Sequence, residues 1–139
     1  MARKVRDIMT GSPTSVSPEL DLVTVARTMR DEDIGNVLVM EGDELRGVVT
    51  DRDLVVRGLA GGLDPHTTQI GGICSGATVT VGPDDEVDQA VALMRDRAIR
   101  RLPVVENGRP IGIVSIGDLA VEKDPRSALA HISAAEPNL

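Results

Sequence analysis

Displaced by 65 positions, the chain falls into register with itself without a gap. Ile8 meets Ile73, Gly11 meets Gly76, Val16 meets Val81 and Pro18 meets Pro83. Met29-Arg30-Asp31 meets Met94-Arg95-Asp96, Gly47 meets Gly112, and Asp53-Leu54 meets Asp118-Leu119. The matches mix apolar and polar positions, so they report a repeated structural unit and not merely a shared hydrophobic rhythm. The 139 residues are thus expected to form two copies, 5–60 and 70–123, a connection at 61–69, and a C-terminal helix and tail at 124–139. One copy alone buries too little surface to be more than marginal, and two packed together double the core.

Both copies read in the same order. A short extended segment (Thr14-Ser15-Val16, or Thr78-Val79-Thr80-Val81) precedes a proline among acidic residues. Leu22, Val25, Ala26 and Met29 follow, matched by Val87, Ala90, Val91 and Met94. Their i, i+3, i+4, i+7 spacing predicts a helix with one buried face. Val37–Met40 and Gly47–Val49, like Leu102–Val105 and Gly112–Val114, predict paired short strands around a polar turn. Pro103 fits an edge strand or a strand start. A second helix opens near Asp51 or Gly117. The expected fold is α+β: two β-α-β-β-α repeats packed sheet to sheet about a pseudo-twofold axis.

Composition narrows the function. With no Phe, Tyr or Trp, the core is aliphatic, and no aromatic platform exists for stacking single-stranded nucleic acid. A net charge of −7 disfavours phosphate backbones and anionic lipid, so neither nucleic acid nor a membrane is an expected partner. Lone Cys74, with no disulfide framework and no secretory segment, points to the cytoplasm. His66, His131 and Cys74 have no metal-ligand spacing, so no metal site is expected. Walker, G-x-G-x-x-G and G-x-S-x-G patterns are absent from the sequence, which argues against an enzyme.

The chemistry concentrates where a strand passes into a helix. Gly47-Val48-Val49-Thr50-Asp51-Arg52-Asp53 is matched by Gly112-Ile113-Val114-Ser115-Ile116-Gly117-Asp118. A hydroxyl and a carboxylate three residues apart, beyond the carboxyl end of a strand, suit the ribose and phosphate of a nucleotide. The same spacing is also a helix capping box, contributing about 0.5–2 kcal/mol at the cap. Both readings fit the repeat, because caps repeat as well.

These junctions, with Asp7-Ile8-Met9 and Ile99-Arg100-Arg101-Leu102-Pro103-Val104-Val105, resemble a tandem pair of CBS domains, the Bateman module, over about Val5 to Val121. Thr50-Asp51-Arg52-Asp53-Leu54, Gly58-Leu59-Ala60 and Leu63-Asp64-Pro65 further resemble small stand-alone CBS proteins of the hypoxic-response type. The resemblance implies a non-catalytic sensor without a catalytic cofactor. It binds AMP, ADP, ATP or S-adenosylmethionine in the cleft between repeats, dimerises into a flat disc, and signals to a protein target in trans. Carried over by residue, site one is Thr50 and Asp53 with Thr78, Val79, Thr80, Arg100 and Arg101. Site two is Ser115 and Asp118 with Thr14, Ser15, Val16, Gly35 and Asn36. The alternative is a constitutive interaction or dimerisation module with degenerate, ligand-free pockets.

Charge separates the two. Residues 95–109 carry a local +3 and the equivalent 30–44 a local −5. Site one is therefore expected to prefer phosphorylated adenosine. Site two is expected to stay empty or to take a neutral or cationic adenosyl ligand.

Overall fold

The computed structural model describes residues 3–74, 79–123, 131, 132 and 135. Its elements are β1 (Thr10–Gly11), β2 (Ser15–Val16), α1 (Leu22–Glu32), β3 (Asn36–Glu41), β4 (Glu44–Thr50), α2 (Asp51–Asp53), α3 (Val87–Arg97), β5 (Arg101–Glu106), β6 (Arg109–Ser115) and α4 (Ile116–Lys123). A π-helical turn, Leu54–Leu59, continues α2, and single 3-10 turns stand at Val5–Asp7 and Ile70–Gly72. The architecture is α+β, as the repeat pattern predicts. The chain divides into two compact units: Pro13–Thr78, and Met1–Ser12 with Val79–Leu139.

The unit of the first repeat holds a three-stranded sheet in the order β2-β3-β4. β2 runs parallel to β3, and β3 pairs antiparallel with β4 from Asn36↔Thr50 to Glu41↔Glu44. α1 packs Leu22, Val25 and Met29 onto Val37, Val39 and Val49, with Ile70 and Ile73 completing the core. Asp21 caps the helix by accepting from Thr24 N at 3.1 Å and Thr24 Oγ1 at 2.6 Å. Ala26 departs from the predicted stripe: it is exposed. The face of α1 turned to the sheet is narrower than the sequence pattern, and Ala26 turns toward Leu54 and Leu59 instead.

The unit of the second repeat has the sheet order β1-β6-β5. Val87, Ala90 and Met94 of α3 pack with Leu102, Val104, Val114 and Leu119. Val81 makes a one-residue parallel bridge to Val104 where the first repeat forms β2. Pro103 is fully buried within β5, whose outer side meets only this bridge among the described residues. The missing N–H therefore costs little ladder. Both hairpins shift register at the same repeat position, Val39/Met40 and Val104/Val105.

The lead-in segments are exchanged. Val5 lies in the core of the second repeat's unit, and β1 pairs antiparallel with β6 through Thr10↔Ile113 and Gly11↔Gly112. A Cβ on Gly112 would stand 2.7 Å from Met9 Sδ and 2.8 Å from Thr10 O, so this approach requires glycine. Ile70 and Ile73 lie reciprocally in the core of the first repeat's unit. Hydrogen bonds follow the same repeat spacing. Val5 N donates to Asp85 O at 2.9 Å, and Ile70 N to Leu20 O at 2.7 Å. Val87 N donates to Arg3 O at 3.0 Å, and Leu22 N to Thr68 O at 3.2 Å. In each unit the opposite lead-in thus satisfies an open N–H at the start of the first helix. The helix expected within 124–139 lies outside the described residues, apart from His131, Ile132 and Ala135.

Candidate functional site

Each strand-to-helix junction builds the same small device. At the end of β4, Thr50 N donates to Asp53 Oδ2 at 2.9 Å and Asp53 N donates to Thr50 Oγ1 at 3.1 Å. At the end of β6, Ser115 N and Ser115 Oγ donate to Asp118 Oδ2 at 2.8 and 3.0 Å, and Asp118 N donates to Ser115 Oγ at 3.2 Å. Both are reciprocal capping boxes, so the capping reading holds at both junctions. Both pairs are half-buried, and one carboxylate oxygen of each lies outside the box.

The second oxygens differ. Asp53 Oδ1 stands 4.0 Å from Arg57 Nε, whose guanidinium also donates through Nη1 to Ile73 O at 3.1 Å. The position equivalent to Arg57 is Glu122, and it pairs with Arg3 Nη1 at 3.4 Å. Asp118 Oδ1 accepts no hydrogen bond among the described residues. The 65-residue offset aligns Arg57 with Glu122, one turn beyond each carboxylate, and that change of sign is the signal in the sequence for this difference.

The residues around each pair come from the neighbouring strand. Asn36 stands opposite Thr50, and Asp51 N donates to Gly35 O at 3.0 Å. Arg101 stands opposite Ser115, and Ile116 N donates to Arg100 O at 2.9 Å. Thr14, Ser15 and Val16 belong to the unit of Thr50 and Asp53; Val79 and Thr80 belong to that of Ser115 and Asp118. Thr78 lies outside the described residues. Within a unit, then, Thr50 and Asp53 keep company with Gly35 and Asn36, and Ser115 and Asp118 with Arg100 and Arg101.

Electrostatics repeats the asymmetry. Arg100 and Arg101 make no ion pair among the described residues, whereas Arg95, on the exposed face of α3, pairs with Asp96 at 3.2 Å. In the first repeat, Glu32 Oε1 accepts from Thr14 Oγ1 at 2.7 Å, Arg30 pairs with Asp31, and Arg46 pairs with Glu41. A phosphate beside Thr14 would face Glu32. Cys74 sits at the core rim near Arg46 and Arg57, and burial pushes its thiol pKa up.

Comparison with known proteins fixes the family. The CBS domain profile matches residues 5–59 and 70–123. An uncharacterized protein of Methanopyrus kandleri is 43% identical over 116 residues, covering 82% of this chain but only 57% of its own. Hypoxic response protein 1 of Mycobacterium tuberculosis is 36% identical over 116 residues, covering 83% of this chain and 81% of its own. A crystal structure of Hypoxic Response Protein I with two coordinated zinc ions superposes with a TM-score of 0.76 at 35% identity, over 86% of this chain and 98% of that one. Among the described residues here, no three His, Cys, Asp or Glu side chains converge as a metal ion would require. The CBS domain pair of protein MJ0100, in complex with 5′-methylthioadenosine and S-adenosyl-L-methionine, has a TM-score of 0.81 over 91% of this chain and 100% of that one. At 22% identity that is a likeness of fold. Two profile matches in tandem, on two units of like build, make this chain a member of the CBS-domain family, carrying a pair of such domains.

Proposed function

We propose that the protein is a non-catalytic adenosyl-ligand sensor that acts as a homodimer on a protein target in trans. CBS-domain proteins are in general regulatory and not catalytic, and one protein of this fold has been crystallised with adenosyl ligands. The observation that carries the reading is the twice-built hydroxyl–carboxylate pair beyond a strand end, with an oxygen of each carboxylate left outside its box. A carboxylate in that position accepts from both hydroxyls of a ribose.

Site one is Thr50 and Asp53, with Thr78, Val79 and Thr80 along the adenine and Arg100 and Arg101 at the phosphate. Those two guanidiniums, lacking carboxylate partners among the described residues, supply charge-assisted hydrogen bonds to an anion. Site two is Ser115 and Asp118 with Thr14, Ser15, Val16, Gly35 and Asn36. The acidic stretch 30–44 around Gly35 and Asn36 selects a neutral or cationic adenosyl ligand there, against the opposing influence of Arg101 beside Ser115. Without aromatic rings, aliphatic side chains hold adenine, and affinity is modest, because each stacked ring would add about 1–3 kcal/mol.

The test is calorimetry with AMP, ATP and S-adenosylmethionine. Arg101→Ala is expected to weaken AMP roughly tenfold, as the loss of a hydrogen bond to a charged group predicts, and to spare S-adenosylmethionine. An unchanged AMP affinity removes the charge argument. A second reading is favoured by the caps, because they account for both pairs without a ligand. In that case the module is a constitutive interaction scaffold. A thermal melt indifferent to every adenosyl compound would establish it, since a folded-state ligand at 100 times its Kd adds about 2.7 kcal/mol.

A further inference from the structure

We infer that Arg57 is a positioning residue of the Thr50–Asp53 junction: its guanidinium, anchored on the Ile73 carbonyl, steadies the open oxygen of Asp53 for the hydroxyls of a ribose. The inference rests on the adenosyl-ligand reading above and adds a residue to it. Two supports fix the guanidinium before any ligand arrives. The first is backbone. Arg57 lies on the π-helical turn Leu54–Leu59, a geometry that recurs at functional sites. Its neighbour Gly58 is buried beside a groove lined by Leu22, Ala26, Leu54 and Leu59, where a Cβ would stand 2.9 Å from Leu22 Cδ1. The turn is thus seated on α1. The second support is Ile73 O, which accepts from Arg57 Nη1 at 3.1 Å. Ile73 is itself buried, and its N–H donates at 3.1 Å to the carbonyl of Ile70, a fully buried residue. The anchor therefore belongs to the core of this unit.

Distance decides what the guanidinium does to Asp53. Asp53 Oδ2 is engaged in the box, accepting from Thr50 N. Asp53 Oδ1 lies 4.0 Å from Arg57 Nε. That is beyond a hydrogen bond, so Nε takes no lone pair of Oδ1. It is close enough for a full charge to orient the carboxylate. With side chains 51% and 25% exposed, the pair adds little to stability. Its effect is orientation: Oδ1 is held in place and stays open to a hydroxyl donor. The second repeat lacks this arrangement. There Arg3 pairs through Nη1 with Glu122 and donates through Nη2 to Asp7 O at 3.3 Å, while Asp118 makes no ion pair among the described residues. An arginine ties the second helix to a lead-in turn in both repeats, but in the first it also faces the carboxylate.

Calorimetry on the full chain tests the assignment by comparing AMP with 2′,3′-dideoxy-AMP, which lacks both ribose hydroxyls. The wild type is expected to prefer AMP roughly tenfold or more, as hydrogen bonds to a charged group predict. Arg57→Met is expected to cut that preference at least about threefold by weakening AMP alone. Arg57→Lys, which keeps the cation, is expected to retain most of it, and Glu122→Met to leave it unchanged. Melting curves check that each variant is folded, and Arg57→Gln repeats the test if Arg57→Met unfolds. A wild type that binds neither compound, or both alike, overturns the ribose reading of Asp53 and this inference with it. A wild type that prefers AMP while Arg57→Met keeps the preference, or weakens both compounds equally, overturns the positioning role alone. So does an equal loss from Arg57→Lys or from Glu122→Met.

Discussion

One helical turn beyond the carboxylate of each capping box, the two repeats carry opposite charges. Arg57 leans toward Asp53, while Glu122 follows Asp118 and is held by Arg3. Elsewhere, nearly everything that sets shape is retained: the hydroxyl, the carboxylate, the hairpin shift and the apolar contact positions of the helices. The contrast shows which properties a duplicated unit must keep. Buried side chains are constrained by close packing, so a change at Val39 or Val104 is felt throughout the core. Ion pairs at the solvent-facing surface contribute little to stability, so packing permits Arg57 and Glu122 to differ between the repeats.

The strongest way to break the comparison is at the exchanged lead-ins. Val5→Asp buries an unpaired carboxylate in the core of the second repeat's unit and is expected to cost about 3 kcal/mol or more. Hydrogen exchange should then rise in β5 and β6 before β3 and β4. Ile70→Asp should reverse the order, since Ile70 belongs to the other core. Equal loss in both units from either change would show that the cores are not separable. Next in size is Gly112→Ala, whose Cβ meets Met9 Sδ and Thr10 O. Overpacking of this kind costs about 1–3 kcal/mol, and the measurable sign is loss of amide protection at Ile113 with β4 unaffected.

Smaller effects sharpen the charge contrast. Thr50→Ala and Ser115→Ala should cost similar amounts, about 1 kcal/mol each in denaturant melts, because each removes the hydroxyl of a box. A matched loss of stability with unmatched losses of ligand affinity would separate capping from binding. The smallest effect is a pH dependence at α1. Hydrogen bonds from Thr24 hold the Asp21 carboxyl below the usual carboxylate range. A depressed folded pKa gives stability that is present above the unfolded pKa and lost as pH falls through the folded one. The Thr24 amide should therefore lose protection only in strong acid, and Asp21→Asn should remove that dependence.

Much of this was legible in the sequence, for a physical reason in each case. The repeat fixed two equivalent units, and the apolar spacing located α1 and α3, because helices bury a stripe. The junction pairs were legible as caps and as binding pairs alike, and the geometry realises the caps. The exchange of lead-ins was not legible. Val5 and Ile70 occupy the same repeat position, so either would fill either core, and no local pattern says which. The place of Ala26 was hidden for another reason. Spacing marks a residue as apolar on one side of a helix, but only the approach of Leu54 and Leu59 decides whether it faces sheet or groove.

The lead-in exchange carries a consequence for inheritance. Cutting the gene at the repeat boundary would yield a fragment whose outermost β-edge is bare and whose leading helix has lost the amide acceptor its sibling supplied. Selection can therefore retune either half by point changes but cannot easily discard one. The duplication behaves as a marriage and not as a spare.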